Sequence, residues 1–380
     1  MTISEETRTQ IVTLVRDFVS REVEPVADKY DHEDIYPSEL VEVMKQMGLF
    51  GITISEDYGG LGLDHLALAS IFEELSKGWM SLSGVIGTHH IMASIISEHG
   101  TDEQKRKFLP KMATGEIRGG LGLTEPDAGS DVQNISTVAT RERDQYLISG
   151  RKMFITNAEN GNAFAVLVKT DRDAVPRYRG MSCFIVTKPN TGLSVGQHID
   201  KLGYRGLDTS ELIFENCKVG IDNLVGGIEG HGFKHVMSGL EPGRINVAAR
   251  AVGGGQAALD AAISYSQQRK TFGQPIAQHQ AIQLKLADMA TKVHAARLMV
   301  YDAAAKKDSG LRNDMEASMA KLFASEICGE VAMEAMRVHG GAGYIKDLPV
   351  ERYYRDSKLC TIGEGTSEIQ KVVISKQIIK

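Results

Sequence analysis

A glutamate flanked by two glycines lies near the end of the chain, in the segment Gly363-Glu364-Gly365-Thr366. Such a carboxylate can act as a general base where burial excludes water and raises its pKa. An apolar stripe at helical spacing follows, made of Ile369, Val372 and Val373. Glu364 could therefore equally be a solvated carboxylate ahead of a final helix, since most glutamates are exposed. The residue pattern by itself leaves both interpretations open.

Glycines cluster at residues 119–122, 253–255 and 340–343, and glycine lets backbone amides approach phosphates closely. None of these clusters completes the G-x-G-x-x-G pattern after a strand. For the middle cluster we favour close packing between helices over ligand binding. The other two clusters remain candidates for contacts with a phosphate group.

Two further segments combine small residues, hydroxyls and an aromatic ring. Residues 121–131 read LGLTEPDAGSD and offer hydroxyls and free backbone amides, which suit the edge of a flavin and its pyrophosphate. In Phe154-Ile155-Thr156-Asn157, the ring could cover a planar group and the hydroxyl could reach a ring nitrogen. Taken singly, the first segment fits an ordinary capped turn and the second an ordinary strand end.

Neither the histidines nor the cysteines indicate a metal site. His231 and His235 stand four residues apart, but the H-E-x-x-H pattern and an obvious third ligand are missing. The four cysteines are far apart, and we expect reduced, mostly buried thiols. His89 and His90 could line a cavity or be core histidines with satisfied hydrogen bonds. We expect no bound metal.

The elements that must position these residues fall into three blocks. Apolar residues recur at helical spacing up to residue 118, and short β-branched and aromatic runs separated by turns occupy 119–230. Helical periodicity returns over 231–380, where long amphipathic helices with short joints predict an antiparallel bundle. We therefore predict an α+β multidomain fold: a helical domain (1–118), a β domain (119–230) and a helical bundle (231–380).

Composition narrows the function. The chain has 380 residues, of which 42% are hydrophobic, and a formal net charge of −6. A negative chain gives no electrostatic reason to bind nucleic acid. The acidic start lacks the features of a secretion signal, and no apolar run is long enough to cross a bilayer. We expect a cytoplasmic protein without a membrane partner.

Five motifs in series resemble the acyl-CoA dehydrogenase family in order and spacing, across essentially the whole chain. They are LTEPDAGSD at 123–131, FITN at 154–157, RKTFG at 269–273, HGGAGY at 339–344 and EGT at 364–366. The resemblance implies a helical domain, a β domain and a C-terminal four-helix bundle. It also implies an FAD-dependent enzyme of fatty acid metabolism that oxidises acyl-CoA thioesters. It further implies a homotetramer that passes electrons to an electron-transferring flavoprotein.

The resemblance also implies roles for individual residues. Glu364 would be the base that removes the α-proton, while hydride leaves the β-carbon for flavin N5. Cofactor contacts would come from Leu121, Leu123, Thr124, Ser130, Phe154, Thr156, Thr366 and Glu368, and from a neighbouring subunit's Arg269, Phe272, Gln280, Arg337 and Gly341. Substrate contacts would come from Ser130, Glu241, Arg244, Gly363 and Gly365. A surface ion pair is the alternative for Glu241 and Arg244.

Several positions depart from common family forms. Phe154 stands where Trp is more usual, and Arg337 where Gln is common. Gly363 stands where many straight-chain enzymes carry Tyr, and we expect the missing ring to widen the acyl cavity for branched or bulky groups. Some members place the base at the position of Gly243, which carries no side chain to accept a proton. The competing functions are an oxidase, a DNA-associated flavoprotein, which the net charge disfavours, and a non-catalytic flavoprotein of the same fold.

Overall fold

A computed structural model describes residues 4–379 and begins with a block of helices. Their bounds are α1 Glu5–Phe18, α2 Glu24–Glu33, α3 Ser38–Gln46, α4 His65–Gly78, α5 Met80–His99 and α6 Asp102–Ala113. The predicted apolar stripes lie on α1, α3 and α4. Helix starts carry local caps: the side chain of Asp64 accepts a hydrogen bond from Ala67 N at 2.9 Å, and Thr101 forms a capping box with Gln104.

A seven-stranded sheet follows and fills most of the middle block. Its strands are β1 Gly119–Gly122, β2 Val138–Glu142, β3 Gln145–Thr156, β4 Ala163–Lys169, β5 Met181–Thr187, β6 Leu193–Val195 and β7 Thr209–Gly220. They pair in the order β1-β4-β2-β3-β7-β6, with β5 on β4. Strand β4 is buried on both faces, as its continuous apolar run Phe164–Val168 predicts.

The last block is helical again. It contains α7 Gly232–Gln268, α8 Gln280–Asp308, α9 Asp314–His339, α10 Val350–Ile362 and α11 Ser367–Ile378. A small hairpin, β8 Lys270–Thr271 and β9 Gln274–Pro275, joins α7 to α8. A Cβ on Gly253 would lie 2.2 Å from Glu73 O, so α7 crosses α4 with almost no gap. This contact confirms close helix packing for the middle glycine cluster.

Helix α5 lies between the sheet and the bundle and has nearly all its residues buried. The largest core cluster joins its first half to the early helices and to the bundle, whereas a second cluster joins its last half to α6, β4 and β5. All four cysteines are free and buried, as predicted. No helix among residues 4–379 is long and apolar enough to cross a membrane. The predicted α+β class with helical, β and helical blocks is confirmed.

Candidate active site

Glu364 lies in the short joint between α10 and α11 and has a left-handed backbone, with φ 54°. Gly365 follows at φ 92°. A left-handed backbone is unfavourable for a glutamate and persists only where its surroundings hold it. Lys321 Nζ donates to Gly365 O at 2.7 Å, and Gln370 Nε2 donates to the same carbonyl at 2.9 Å. These two buried donors fix the turn that aims the Glu364 side chain inward.

The Glu364 carboxylate fits against a bare patch of α7. Only 14% of the side chain is exposed, and its Oε2 has no hydrogen-bond partner among the residues that the structure describes. A Cβ at Gly243 would lie 2.4 Å from that oxygen, which is closer than real Cβ contacts allow. Gly243 therefore makes room for the carboxylate, and a side chain at position 243 would compete with it for one space.

Burial raises the pKa of Glu364 to about 7, while Arg250, Lys321 and Arg244 act in the opposite direction. Burial also lowers the pKa of Lys321 to about 8. The site therefore combines a dehydrated carboxylate with nearby cations. A base whose pKa lies near the working pH is well matched to proton abstraction.

Helix α5 connects this carboxylate to the flavin-type motifs on the sheet. Asn157 Nδ2 donates to Val85 O at 2.9 Å and to Gly119 O at 3.3 Å, tying the end of β3 to α5 and β1. Ile91, farther along α5, has its Cδ1 3.1 Å from where a Gly243 Cβ would stand. The FITN segment is thus tied to α5, and the same helix packs against the part of α7 that faces Glu364.

The two neighbouring histidines of α5 are core residues. His89 receives a hydrogen bond from Gly119 N at 3.1 Å and has its Nε2 2.9 Å from Phe50 O. The Nε2 of His90 lies 3.0 Å from Leu49 O. Both side chains are buried, and burial lowers the pKa of each well below its usual range. Both histidines therefore pack in the core, where Nδ1 of His90 has no hydrogen-bond partner among residues 4–379, and we assign neither to a cavity.

The LTEPDAGSD segment is anchored by a buried ion pair that the sequence analysis missed. Glu125 Oε1 lies 2.8 Å from Lys152 Nζ, and the two side chains are 3% and 0% exposed. Glu125 also accepts hydrogen bonds from Ser136 N and Thr137 N at 2.5 and 3.0 Å. Burial alone would raise the Glu125 pKa, but Lys152 and these donors outweigh it and lower the pKa. The sequence did carry a signal for this pair, because Glu125 lies inside the LTEPDAGSD motif and Lys152 lies on β3 among apolar residues.

The rim of the sheet offers groups that fit a flavin. Phe154 sits at an irregularity of the β3–β7 pairing, has φ 58° and leaves 60% of its surface exposed. Thr156 follows two residues later and is partly buried. Leu121 and Leu123 pack at the edge of the core, and Gly129 has nothing within 4 Å of where a Cβ would be. The exposed Phe154 ring could cover a planar flavin, while the Thr156 hydroxyl and the open backbone at Gly129 could form hydrogen bonds with it.

A second group of predicted cofactor residues clusters around the α7–α8 hairpin. Arg269 and Gly341 line one groove of about 490 Å³. Phe272 and Gly273 form a two-residue turn with φ 51° and 82°, and the ring is 98% exposed. Gln280 begins α8, and Arg337 at the end of α9 pairs with Glu334.

The hairpin group is not brought next to the Glu364 carboxylate within one chain. Arg250 lies beside Glu364, whereas Arg269 is 19 residues farther along and follows the last residue of α7 directly. At about 1.5 Å per residue, their separation is on the order of 30 Å. One subunit therefore presents the carboxylate site and the hairpin groove at well-separated places.

The remaining predicted contacts differ in their surroundings. Thr366 caps α11 by accepting from Ile369 N at 3.3 Å, and Glu368 is exposed in the first turn of that helix. Glu241 Oε1 lies 3.4 Å from Lys307 Nζ, which fits the ion-pair alternative. Arg244 faces the Glu364 region, and its Nε is buried without a partner among residues 4–379.

The paired histidines of α7 are also packed rather than poised for a metal. The ring of His235 is buried and stacks on His99, with 4.4 Å between ring centroids. His231 precedes the helix and lies edge-on to His235 at 6.0 Å. His99 has its own partner, because its Nε2 lies 2.6 Å from Ser238 Oγ. We assign no metal ligand here.

Comparison with known proteins places the whole arrangement in one family. Three family profiles match in sequence: acyl-CoA dehydrogenase N-terminal domain at residues 5–116, middle domain at 120–217 and C-terminal domain at 230–379. A 3-(aryl)acrylate reductase of Clostridium sporogenes is 45% identical over 97% of both chains. An isobutyryl-CoA dehydrogenase of Dictyostelium discoideum is 39% identical over 99% of this chain and 90% of its own.

The fold gives the same answer as the sequence. The solved butyryl-CoA dehydrogenase of Megasphaera elsdenii superposes with a TM-score of 0.95 at 36% identity, and the match covers 100% of both chains. Identity and coverage at these levels exceed what a shared fold alone would give. The chain is an oxidoreductase and belongs to the acyl-CoA dehydrogenase family.

Proposed function

We propose that this protein is an FAD-dependent acyl-CoA dehydrogenase that converts an acyl-CoA to the trans-2-enoyl-CoA, with Glu364 as the base. The observation that carries the proposal is the Glu364 carboxylate: it is mostly buried, its pKa is raised to about 7, and one oxygen has no partner within residues 4–379. The family membership supplies the reaction class. A dehydrated carboxylate supplies the group that the reaction needs.

The α-proton of a thioester is too weakly acidic for an ordinary carboxylate in water. Burial strengthens Glu364 as a base, and the Lys321 and Gln370 hydrogen bonds hold the turn that carries it. In this proposal Glu364 takes the α-proton and its own backbone amide polarises the thioester carbonyl. FAD, when bound, would accept the hydride that leaves the β-carbon.

The proposed cofactor site draws on two subunits. Phe154, Thr156 and residues 121–130 would contact the flavin and pyrophosphate from one chain, with Thr366 and Glu368 near by. Because the hairpin group lies on the order of 30 Å from Glu364 along α7, Arg269, Phe272, Gln280, Arg337 and Gly341 would serve a neighbouring chain's FAD. The fully exposed ring of Phe272 supports this arrangement. We propose a homotetramer on this basis and on family resemblance.

For the substrate we propose that Ser130, Glu241, Arg244, Gly363 and Gly365 contact the acyl-CoA. We further propose an electron-transferring flavoprotein as the electron acceptor, by family resemblance.

The experiment that tests the function is anaerobic titration of the purified flavoprotein with butyryl-CoA or isobutyryl-CoA. Bleaching of the flavin in this titration, together with little peroxide formed when the same mixture is assayed in air, supports a dehydrogenase. Rapid peroxide formation would indicate an oxidase, and an unchanged spectrum with every acyl-CoA tested would indicate a non-catalytic flavoprotein.

The pH dependence of the wild-type enzyme follows from the raised pKa of Glu364. Only the ionised carboxylate can accept a proton, and the protonated form persists up to about pH 7. We expect kcat/KM to fall roughly tenfold per pH unit below about pH 7 and to level off above it. Steady-state assays with an artificial electron acceptor, with FAD content checked at each pH, measure this profile. A rate that stays flat down to pH 5 would contradict the assignment.

Gly363 is expected to set the tolerance for bulky acyl groups. The atoms nearest to a Cβ there would all belong to Leu359, with its O at 3.4 Å, its Cδ1 at 3.7 Å and its Cγ at 3.8 Å, so a Cβ makes ordinary van der Waals contacts. Gly363→Tyr should lower kcat/KM for isobutyryl-CoA about tenfold more than for butyryl-CoA, because the ring would occupy space beside the α-carbon. Gly363→Ala is the matched small variant and should change the ratio little. Equal losses on both substrates would disprove this role.

A further inference from the structure

Arg250 is a buried guanidinium that lies directly beside the proposed base. Its side chain is 7% exposed, and its Nε donates to Asn246 Oδ1 at 2.6 Å, while Nη1 donates to the hydroxyl of Tyr204. The remaining nitrogen, Nη2, lies 4.0 Å from Glu364 Oε1 and has no hydrogen-bond partner in the described part of the chain, residues 4–379. A buried arginine stays charged and therefore requires an anion close by.

The protein is shaped to place this guanidinium. A Cβ on Gly87 of α5 would lie 1.7 Å from Arg250 Nη2, and one on Gly84 would lie 2.7 Å from the Tyr204 hydroxyl oxygen. Two missing side chains, one turn apart on α5, thus open the slot that the guanidinium and its tyrosine partner fill. The ring of Phe72 lies 5.5 Å from the guanidinium carbon and adds a cation–π contact. The position of Arg250 is set by three elements and not by Glu364 alone.

Among the charged groups around Glu364, Arg250 has the strongest effect on the pKa of the carboxylate. The titratable groups that face the carboxylate are Arg244 and Arg250 from α7, Lys321 from α9, Cys360 from α10 and Tyr204 from the loop before β7. Burial raises the pKa of Cys360 to about 11 and that of Tyr204 to about 12, so neither changes charge near neutral pH. Lys321 is already engaged with Gly365 O. After burial, Arg250 has the largest influence on the Glu364 pKa, and it lowers that pKa.

We propose that Arg250 is a positioning residue for the base, acting as the counter-ion that keeps the Glu364 carboxylate charged and held against Gly243. The inference rests on the proposed function, because it assigns a partner to the same base. Burial strengthens the base but also favours its protonated form, and a fixed cation at 4.0 Å offsets part of that effect. Arg250 thereby sets the lowest pH at which the base can work.

The test compares pH profiles of kcat/KM for one acyl-CoA in the wild-type holoenzyme and in Arg250→Gln. The acidic limb of such a profile is the range in which kcat/KM falls as the pH is lowered. Loss of an opposite charge at this distance should move this limb up by roughly 1 to 3 pH units. Activity at pH 7 should therefore fall at least about fivefold and recover above that limb. Arg250→Lys keeps the charge and should move the limb less. Arg297→Gln is the matched control, because Arg297 also lies in the bundle but pairs with Glu73 at 2.8 Å.

A second variant covers the case in which Arg250→Gln does not fold. Gly87→Ala keeps every charge but places a methyl group where Nη2 stands, so Nη2 cannot keep its present place 4.0 Å from Glu364 Oε1. Its acidic limb should also move up. A limb that stays at the wild-type pH in either folded variant, with activity reduced equally at all pH values, would overturn the proposal. Failure of the proposed dehydrogenase function would give a different result, because no acyl-CoA would then reduce the flavin of the wild-type enzyme.

Discussion

Glu364→Gln is expected to lower turnover by about 10²- to 10⁴-fold while FAD and acyl-CoA remain bound. Glutamine has nearly the same shape as glutamate but cannot accept the α-proton. Its amide fits the space beside Gly243, where the Glu364 oxygen has no partner among residues 4–379, so the fold of the turn should persist. Turnover is measured with an artificial electron acceptor, FAD content by absorbance and acyl-CoA binding by calorimetry.

Glu326→Gln is the control for this substitution. Glu326 lies on α9, its side chain is 46% exposed, and its Oε1 is 3.7 Å from Lys371 Nζ of α11. The substitution therefore removes a carboxylate near the last helix without touching the site. Its turnover should equal that of the wild type. If Glu364→Gln kept turnover within about threefold of the wild type, the base would have to be a different residue.

Lys152→Met should reduce the free energy of unfolding by about 3–5 kcal/mol, because it leaves Glu125 as a buried charge without its partner. Both side chains are almost completely buried, and Lys152 also donates to Leu123 O at 3.1 Å. The substitution should loosen the LTEPDAGSD segment as well, and FAD should dissociate more readily. Urea unfolding followed by circular dichroism, at matched protein and FAD concentrations, measures the loss.

A double-mutant cycle isolates the ion pair from the other contacts of Glu125. Glu125→Gln removes the charge and keeps one of the two acceptor oxygens, so it can accept from Ser136 N or from Thr137 N but not from both. Combined with Lys152→Met, it should recover a large part of the lost stability, because no buried charge then remains unpaired. Strictly additive losses in the two single variants would show that the pair contributes nothing beyond packing.

The fold could be predicted from the sequence because its signals are local. Periodic apolar residues mark α1, α3, α4, α8 and α9, and the continuous apolar run of β4 marks a strand buried on both faces. Glu364 stood out because it lies in the EGT motif between glycines. Its burial could not be read from the motif, and a solvated carboxylate remained open until the turn and α7 were seen together.

The residues whose roles beside Glu364 were not predicted lie far from it in the chain. Gly243 and Glu364 are 121 positions apart, and nothing local shows that the glycine makes space for the carboxylate. Arg250 lies in a stretch of α7 made mostly of small apolar residues, with Asn246 one turn before it, so its position beside Glu364 depends on tertiary packing. Lys321 resembles any lysine of an amphipathic helix until its bond to Gly365 O is known. Local patterns do not encode such contacts.

The central claim is that Glu364 removes the α-proton, and solvent exchange measures that step apart from electron transfer. Phenylacetyl-CoA has α-hydrogens but no β-hydrogen that could leave as hydride. Incubated with the holoenzyme in D2O, it should gain deuterium at the α-carbon, detected by mass spectrometry, and Glu364→Gln should reduce this exchange to the rate seen without enzyme. Exchange at the wild-type rate in Glu364→Gln would contradict the account.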